Sequence, residues 1–340
     1  MPFGPSNWGN LVQYFIIYGV GFILGSFGGM FSECSGIINI ALEGSMVFGA
    51  YSGIAFMTLV GQAASTSWLV TTTAGWHIFF LLAALVSILF SILFSFLLSF
   101  VSIRFKADQT VVGTALNTVA IALCTIVNTS LVSKKDSPEI GLTQFNVQKY
   151  LNLTTGNTFV DKAFSGITLA VLFGVIMIAI LWICMNKTRF GLRLRACGEN
   201  PAAADSVGIN VNRMRYLGTA IGSSAAGLGG FIIFSFSASY FGNWQIDALG
   251  YGFLVLAIEI FGNWKTNGIF LASLFFAFFF AFAPTFTAYL GTAGMSGNFF
   301  GKKPLYYMLP YLFAFLTLIV FSKRSHAPKA EGIPYDKSSR

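Results

Sequence analysis

Charge is what this chain has least of. Only 9% of its 340 residues are Asp, Glu, Lys or Arg, whereas a soluble domain carries about a quarter, so a water-soluble globule is excluded. Histidine and cysteine are nearly as scarce, at 2 and 4 residues. His77 and His326 stand alone, and Cys34, Cys124, Cys184 and Cys197 follow no metal-ligand spacing, which argues against a zinc site or a disulfide framework. No glycine-rich loop ends in Lys-Ser or Lys-Thr, so the chain is not expected to hydrolyse ATP itself. No Ser/His/Asp or paired-His grouping supports a hydrolase or metalloenzyme, and no residue is assigned as catalytic. Nothing basic precedes the first apolar run, so that run is expected to stay in the mature protein.

What the chain does have is apolar length. Hydrophobic residues make up 55% of it and the mean hydropathy is +0.73, the profile of an all-α polytopic membrane protein. Runs of about 20 apolar residues can each cross the hydrocarbon as a helix. Nine such spans are predicted, near 11–31, 37–60, 78–101, 110–131, 164–185, 216–236, 246–263, 267–291 and 305–322. Fourteen of the 20 Lys and Arg residues then fall on the side that holds the loop after the fifth span and the C-terminus. Positive-inside topology puts that side in the cytoplasm and the N-terminus outside. The net charge of +8 lies in short loops and forms no continuous face, so no nucleic-acid partner is expected. Residues 1–322 read as a single membrane domain with an external loop over 132–163, and residues 323–340 as a disordered cytoplasmic tail.

The most informative loop lies over 193–210, between the fifth and sixth spans. Asn200 is a good N-cap, Pro201 suits the first helical position, and Gly208 can close the segment in a left-handed turn. Between them Ala202, Ala203, Ala204 and Asp205 make a stiff helix of about two turns. Set among Lys187, Arg189, Arg193, Arg195, Arg213 and Arg215, it reads either as a docking knob for a cytoplasmic partner or as an ordinary capped loop helix.

Four further patterns stand out. Gly21, Gly25 and Gly29, and again Gly218, Gly222, Ala226 and Gly230, recur every four residues and predict smooth faces for close helix packing. Asn39 and Glu43, four apart and bracketed by Gly36 and Gly44, share one face of a broken or re-entrant helix. Glu43 and Glu259 are carboxyls at membrane depth, lining a polar route or bracing neighbouring helices. Thr110, Thr114, Asn117, Thr118, Thr125 and Asn128 place a polar stripe on the fourth span, which lines a hydrophilic pathway or glues two helices. The aromatics Phe231, Phe234, Phe236, Tyr240, Phe241 and Trp244 read mainly as an interfacial belt.

The residues Gly36-Ile-Ile-Asn-Ile-Ala-Leu-Glu-Gly-Ser-Met, Arg195-Ala-Cys-Gly-Glu-Asn-Pro-Ala-Ala-Ala-Asp-Ser-Val-Gly, Ala225-Ala-Gly-Leu-Gly-Gly and Gly250-Tyr-Gly-Phe-Leu-Val-Leu-Ala-Ile-Glu-Ile-Phe-Gly-Asn-Trp resemble the permease subunits of bacterial ABC importers. The branch is that of simple-sugar and nucleoside permeases, related to ribose and branched-chain amino-acid permeases. Cys197 departs from the small apolar residue usual at its position.

The resemblance implies a plasma-membrane complex. It would join this chain to a second permease subunit, sister or identical, to a cytoplasmic ABC ATPase that binds ATP and Mg, and to an external substrate-binding lipoprotein. The permease itself would bind membrane lipid but no cofactor. The resemblance further implies that Gly198, Glu199, Asn200, Pro201, Ala203, Asp205 and Gly208 belong to the coupling helix, and that the substrate is a nucleoside or a simple sugar. Asn39, Glu43, Thr114, Asn117, Asn128 and Glu259 are the candidates for the substrate pathway. An ion-coupled carrier with Glu43 or Glu259 as its proton site is the alternative of another class.

Overall fold

The computed structural model describes residues 4–63, 67–132, 155–237, 250–292, 303–321 and 326–336. Every regular element among them is a helix. In chain order they are α1 (Pro5–Glu33), α2 (Leu42–Ala63), α3 (Trp68–Thr71), α4 (Thr73–Arg104), α5 (Gln109–Val127, continued by a π turn at Asn128–Val132), α6 (Thr158–Phe164), α7 (Leu169–Lys187), α8 (Arg189–Glu199), α9 (Pro201–Ser206), α10 (Val211–Ser237), α11 (Tyr251–Phe261), α12 (Thr266–Thr292) and α13 (Lys303–Phe321).

Among the described residues seven helices are long and apolar enough to cross a membrane: α1, α2, α4, α5, α7, α10 and α12. The nine expected spans also took in α11 and α13. With 11 residues, α11 is about 16 Å long, roughly half the hydrocarbon thickness. Its ends explain its length. Gly250 lies left-handed before it at φ 70°, and Asn263 and Trp264 lie left-handed after it at φ 55° and 53°. The helix α13 has 19 residues with Pro310 inside it and is not among the seven.

The bundle is built on α1 and α10. In their apolar stretches 89% and 83% of residues are buried, against 22% in α5 and 28% in α7. Glycine makes the contact possible: a Cβ on Gly28 would lie 2.4 Å from the Gly222 carbonyl oxygen, and one on Gly229 would lie 2.6 Å from that of Gly21. The expected four-residue ridges therefore split between neighbours. Gly25 faces Val255 of α11, Gly29 faces Glu259, and Gly230 faces Met46 of α2. A four-residue step drifts about 40° around a helix, so a long row at that spacing cannot face one partner, while a seven-residue step drifts only about 20°. From the other side, Ser87 and Ser91 of α4 donate to the carbonyls of Gly227 (2.9 Å) and Ser223 (2.7 Å) on α10, and Ser99 shares a 2.5 Å hydrogen bond with Thr219.

Two aromatics expected in a belt are core residues instead. Phe231 packs on Phe80, and Phe234 packs edge-on against Tyr251. They sit where α10 is enclosed by α1, α2 and α4. Tyr240, Phe241 and Trp244 lie outside the described residues, as do 133–154 of the expected external loop. The rest of that loop holds α6, which packs on the N-terminal part of α1, where Gly9 lies against Phe159 and Lys162.

At the other end of the bundle, loops 34–41, 105–108, 188–210 and 262–265 come together, and residues 326–336 run across them. The expected disordered tail is therefore corrected over this stretch. Its Pro/Gly-rich composition offers little apolar surface, but backbone hydrogen bonds, which composition does not report, hold it in place: Ala330 N–H to Gly198 (2.8 Å) and Gly332 N–H to Gly36 (3.3 Å). Residues 323–325 and 337–340 lie outside the described ones.

Candidate functional site

The loop after α7 folds as its local signals dictate. Thr188 caps α8, accepting from Gly191 N–H at 3.3 Å. Asn200 ends α8 and caps α9, its Oδ1 accepting from Ala203 N–H at 3.0 Å, with Pro201 at the first helical position. Gly208 is left-handed at φ 84°, and Ile209 N–H returns to Ala204 C=O at 3.1 Å, which closes the helix and satisfies a carbonyl it would otherwise orphan. Glu199, Asn200, Ala203 and Gly208 are exposed, Pro201 and Asp205 half-buried, and Val207 stands 76% exposed beside them. Gly198 points the other way, buried so tightly that a Cβ there would lie 2.4 Å from the Cys34 carbonyl oxygen at the end of α1. Cys197 is buried beside it, and burial pushes its thiol up to about 11. One face of this arm is thus fastened to α1 and the other is presented to solvent.

Asn39 and Glu43 do not share a helix face. Gly36, left-handed at φ 96°, starts a break after α1, and α2 begins only at Leu42. Asn39 is in the break, fully buried, and neither of its amide atoms has a hydrogen-bond partner among the described residues. Glu43, in the first turn of α2, accepts a hydrogen bond from Gly252 N–H, with Phe253 and Gly250 contributing further backbone contacts. It therefore caps α11 from outside, at the positive end of that helix. Only glycine fits at 252, where a Cβ would lie 2.3 Å from the Glu43 Cα. Asn117 is likewise committed to backbone: its Oδ1 accepts from Gly44 N–H (2.8 Å) and its Nδ2 donates to Ile40 C=O (2.9 Å).

Glu259, at the other end of α11, is fully buried. Neither of its carboxyl oxygens has a hydrogen-bond partner among the described residues, and the Glu33 carboxyl at the end of α1 is close enough to act on it electrostatically. Glu33 also accepts from Trp264 Nε1–H at 2.6 Å. Neither carboxyl has a Lys, Arg or His nitrogen within 4.0 Å among the described residues. Arg215, which the sequence places in a basic loop, is 1% exposed instead. Its Nη2 donates to Ile333 C=O at 2.9 Å, beside Gly36.

Comparison with known proteins gives this bundle its relatives. The profile of the branched-chain amino acid transport system / permease component family matches residues 11–321. The guanosine ABC transporter permease protein NupQ of Bacillus subtilis is 35% identical over 97% of both chains. The nucleoside ABC transporter permease protein NupC of Lactococcus lactis is also 35% identical, over 96% of this chain and 97% of that one. A putative glucose ABC transporter permease protein, TsgC13 of Haloferax volcanii, is 24% identical over 75% of this chain and 70% of its own. The chain belongs to the permease family.

In this permease the polar stripe of α5 divides. Asn117 faces inward, whereas Thr110, Thr114, Thr118 and Thr125 are exposed. The hydroxyls of Thr114 and Thr125 are spent on their own helix, donating to Val111 (3.0 Å) and Ile121 (2.8 Å), so they stand exposed with no unmet donor. Asn128 is half-buried at the turn where α5 becomes a π-helix. The pathway candidates therefore form no single cluster. Glu43, Asn117 and Asn39 sit around the α1–α2 break, Glu259 at the far end of α11, and Thr114 and Asn128 along α5. Sequence reasoning missed Glu33, Arg215 and the serines of α4. Only the serines left a signal, their recurrence at 87, 91, 95 and 99.

Proposed function

We propose that the permease is the transmembrane subunit of an ATP-driven nucleoside importer, working with a cytoplasmic ABC ATPase that binds ATP and Mg, a second permease subunit and an external binding lipoprotein. The observation that carries this reading is the similarity, over nearly the whole chain, to permeases named for guanosine and nucleosides. The exposed face of α9, with Val207 at its tip and the arm's buried face on α1, is the coupling helix: a push from the ATPase reaches the α1–α2 break without a flexible link between. The exposed face of α5, with Thr114 and Thr118, faces the second permease subunit across a shared route. The basic loops and the strap lie in the cytoplasm, and the N-terminus outside. The relative named for glucose makes a simple sugar the second reading for the substrate.

The test is reconstitution. The permease is co-purified with its partners, placed in vesicles and given nucleosides, ribose and glucose with and without ATP. ATP-dependent uptake of a nucleoside is expected; accumulation by the isolated permease driven by an ion gradient would overturn the reading. Topology is checked separately in a Cys184→Ser background, where Ser206→Cys should resist an impermeant thiol reagent in whole cells and react in inverted vesicles. Changing Ala202, Ala203 and Ala204 to glycine softens α9 by roughly 0.8–1 kcal/mol per residue. Uptake should then be lost while the protein stays in the membrane.

A further inference from the structure

We propose that residues 326–336 are a force-bearing strap that fastens the arm α8–α9 to the α1–α2 break, so that the arm's movement reaches the bundle through the strap as well as through the arm's own packing on the end of α1 and on α10. This rests on the importer reading above. Over eleven residues the strap bonds five separate parts of the permease. His326 N–H donates to Asn263 Oδ1 in the α11–α12 turn (2.7 Å), and Ala330 N–H to Gly198 C=O at the end of α8 (2.8 Å). Gly332 N–H donates to Gly36 C=O in the α1–α2 break (3.3 Å). Arg215 of α10 donates to Ile333 C=O (2.9 Å), and Asp336 pairs with Lys106 after α4 (2.5 Å).

The fit is close. Ala330 is 6% exposed, Tyr335 packs against the core, and Gly332 is left-handed at φ 75° with Ile38 2.6 Å from where a Cβ would stand. The strap matters because of what lies beside it. Between α8 and the α11–α12 turn is a cavity of about 590 Å³ lined by Leu192, Arg195, Trp264 and Lys265, with His326 and Pro328 of the strap as one wall. The strap spans that cavity, bonded to Asn263 on one side and to Gly198 on the other. It also reaches Asn263, which with Trp264 holds a left-handed backbone that disfavours non-glycine residues. That turn is a place where a small displacement can be taken up.

The experiment uses the complete importer with its ATPase and binding protein. Gly332→Val places a β-branched side chain where the backbone is left-handed and Ile38 is in the way, so it unseats the middle of the strap. Lys106→Asp and Asp336→Lys break the terminal ion pair singly and restore it together. With Gly332→Val, uptake should fall at least tenfold while ATPase activity stays within twofold of the unsubstituted complex, which is uncoupling. Each charge reversal should lower uptake about two- to threefold, and the double exchange should recover it. Unchanged uptake in Gly332→Val would overturn the proposal, and so would parallel loss of uptake, ATPase activity and membrane level, which would mark the strap as a folding element only. Failure of the unsubstituted complex to transport with ATP would instead strike the importer reading.

Discussion

The two ends of α11 meet buried carboxyls in opposite ways. At its N-terminus Glu43 arrives from α2 and takes the free backbone amides, so a negative group meets the positive pole of the helix. Toward its C-terminus Glu259 and Glu33 face each other, close to the pole that repels negative charge, with an indole as the neutral donor. The first end is an anchor in which side chain and backbone satisfy each other. The second holds two like groups together only because the surrounding helices enclose them, and it adjoins the left-handed turn and the strap. A half-helix fixed at one end and frustrated at the other is suited to pivot about the fixed end.

Removing the anchor should have the largest effect. Glu43→Ala leaves buried amides with no acceptor, each worth about 1–3 kcal/mol, so a loss on the order of 3 kcal/mol is expected, read as a lower thermal midpoint of the detergent-purified permease together with lost uptake. Trp264→Phe removes the indole N–H donor to Glu33 and leaves the Asn39 backbone as donor, so it should cost about 1–2 kcal/mol by the same measurement. Glu259→Gln should cost less than about 1 kcal/mol or stabilise, because it replaces one of two facing acidic groups by a neutral amide and leaves a donor facing Glu33. If Glu259→Gln proves as damaging as Glu43→Ala, the two ends are equivalent and the pivot is lost.

How much of this was legible in the sequence follows from how far each signal reaches along the chain. The α9 knob was readable almost residue by residue, because Asn200, Pro201 and Gly208 act within four positions of themselves. The break after α1 was readable from Gly36, but where it ended was not, so Asn39 and Glu43 were assigned to one face that does not exist. The partners of Glu43 and Asn117 lie 209 and 73 positions away, and no periodicity reports them. Arg215 looked like every other loop cation because its acceptor is a carbonyl 118 positions on. The strap was misread for the same reason: composition describes how much apolar surface a segment can bury, not whether four distant parts of the fold will hydrogen-bond its backbone.

The smallest predicted effect concerns the frustrated end alone. Burial first, and the neighbouring Glu33 carboxyl second, push Glu331 up to about 8 from an ordinary value near 4.5. The docked strap therefore binds a proton that the free strap releases, so the Glu331 contribution to docking is complete below about 4.5, weakens as pH rises from there, and is gone above about 8. Other titratable groups surround it, among them the Glu33 and Glu259 carboxyls and His326 of the strap itself. Cys34 stands at about 12, Lys106 and Asp336 pair with each other, and Arg215 is fixed on Ile333. Arg195 and Glu199 line the cavity walled by His326 and Pro328 of the strap. A spin label at Lys329→Cys, which is exposed, in the Cys184→Ser background should show its mobile fraction rising about twofold between pH 6 and pH 8.5. In Glu331→Gln the fraction should stay flat across that range, because the substituted side chain has no proton to lose. Equal pH dependence in the two would mean that the proton controlling the strap sits elsewhere, and the contrast between the two ends of α11 would then rest on Glu33 and Glu259 alone.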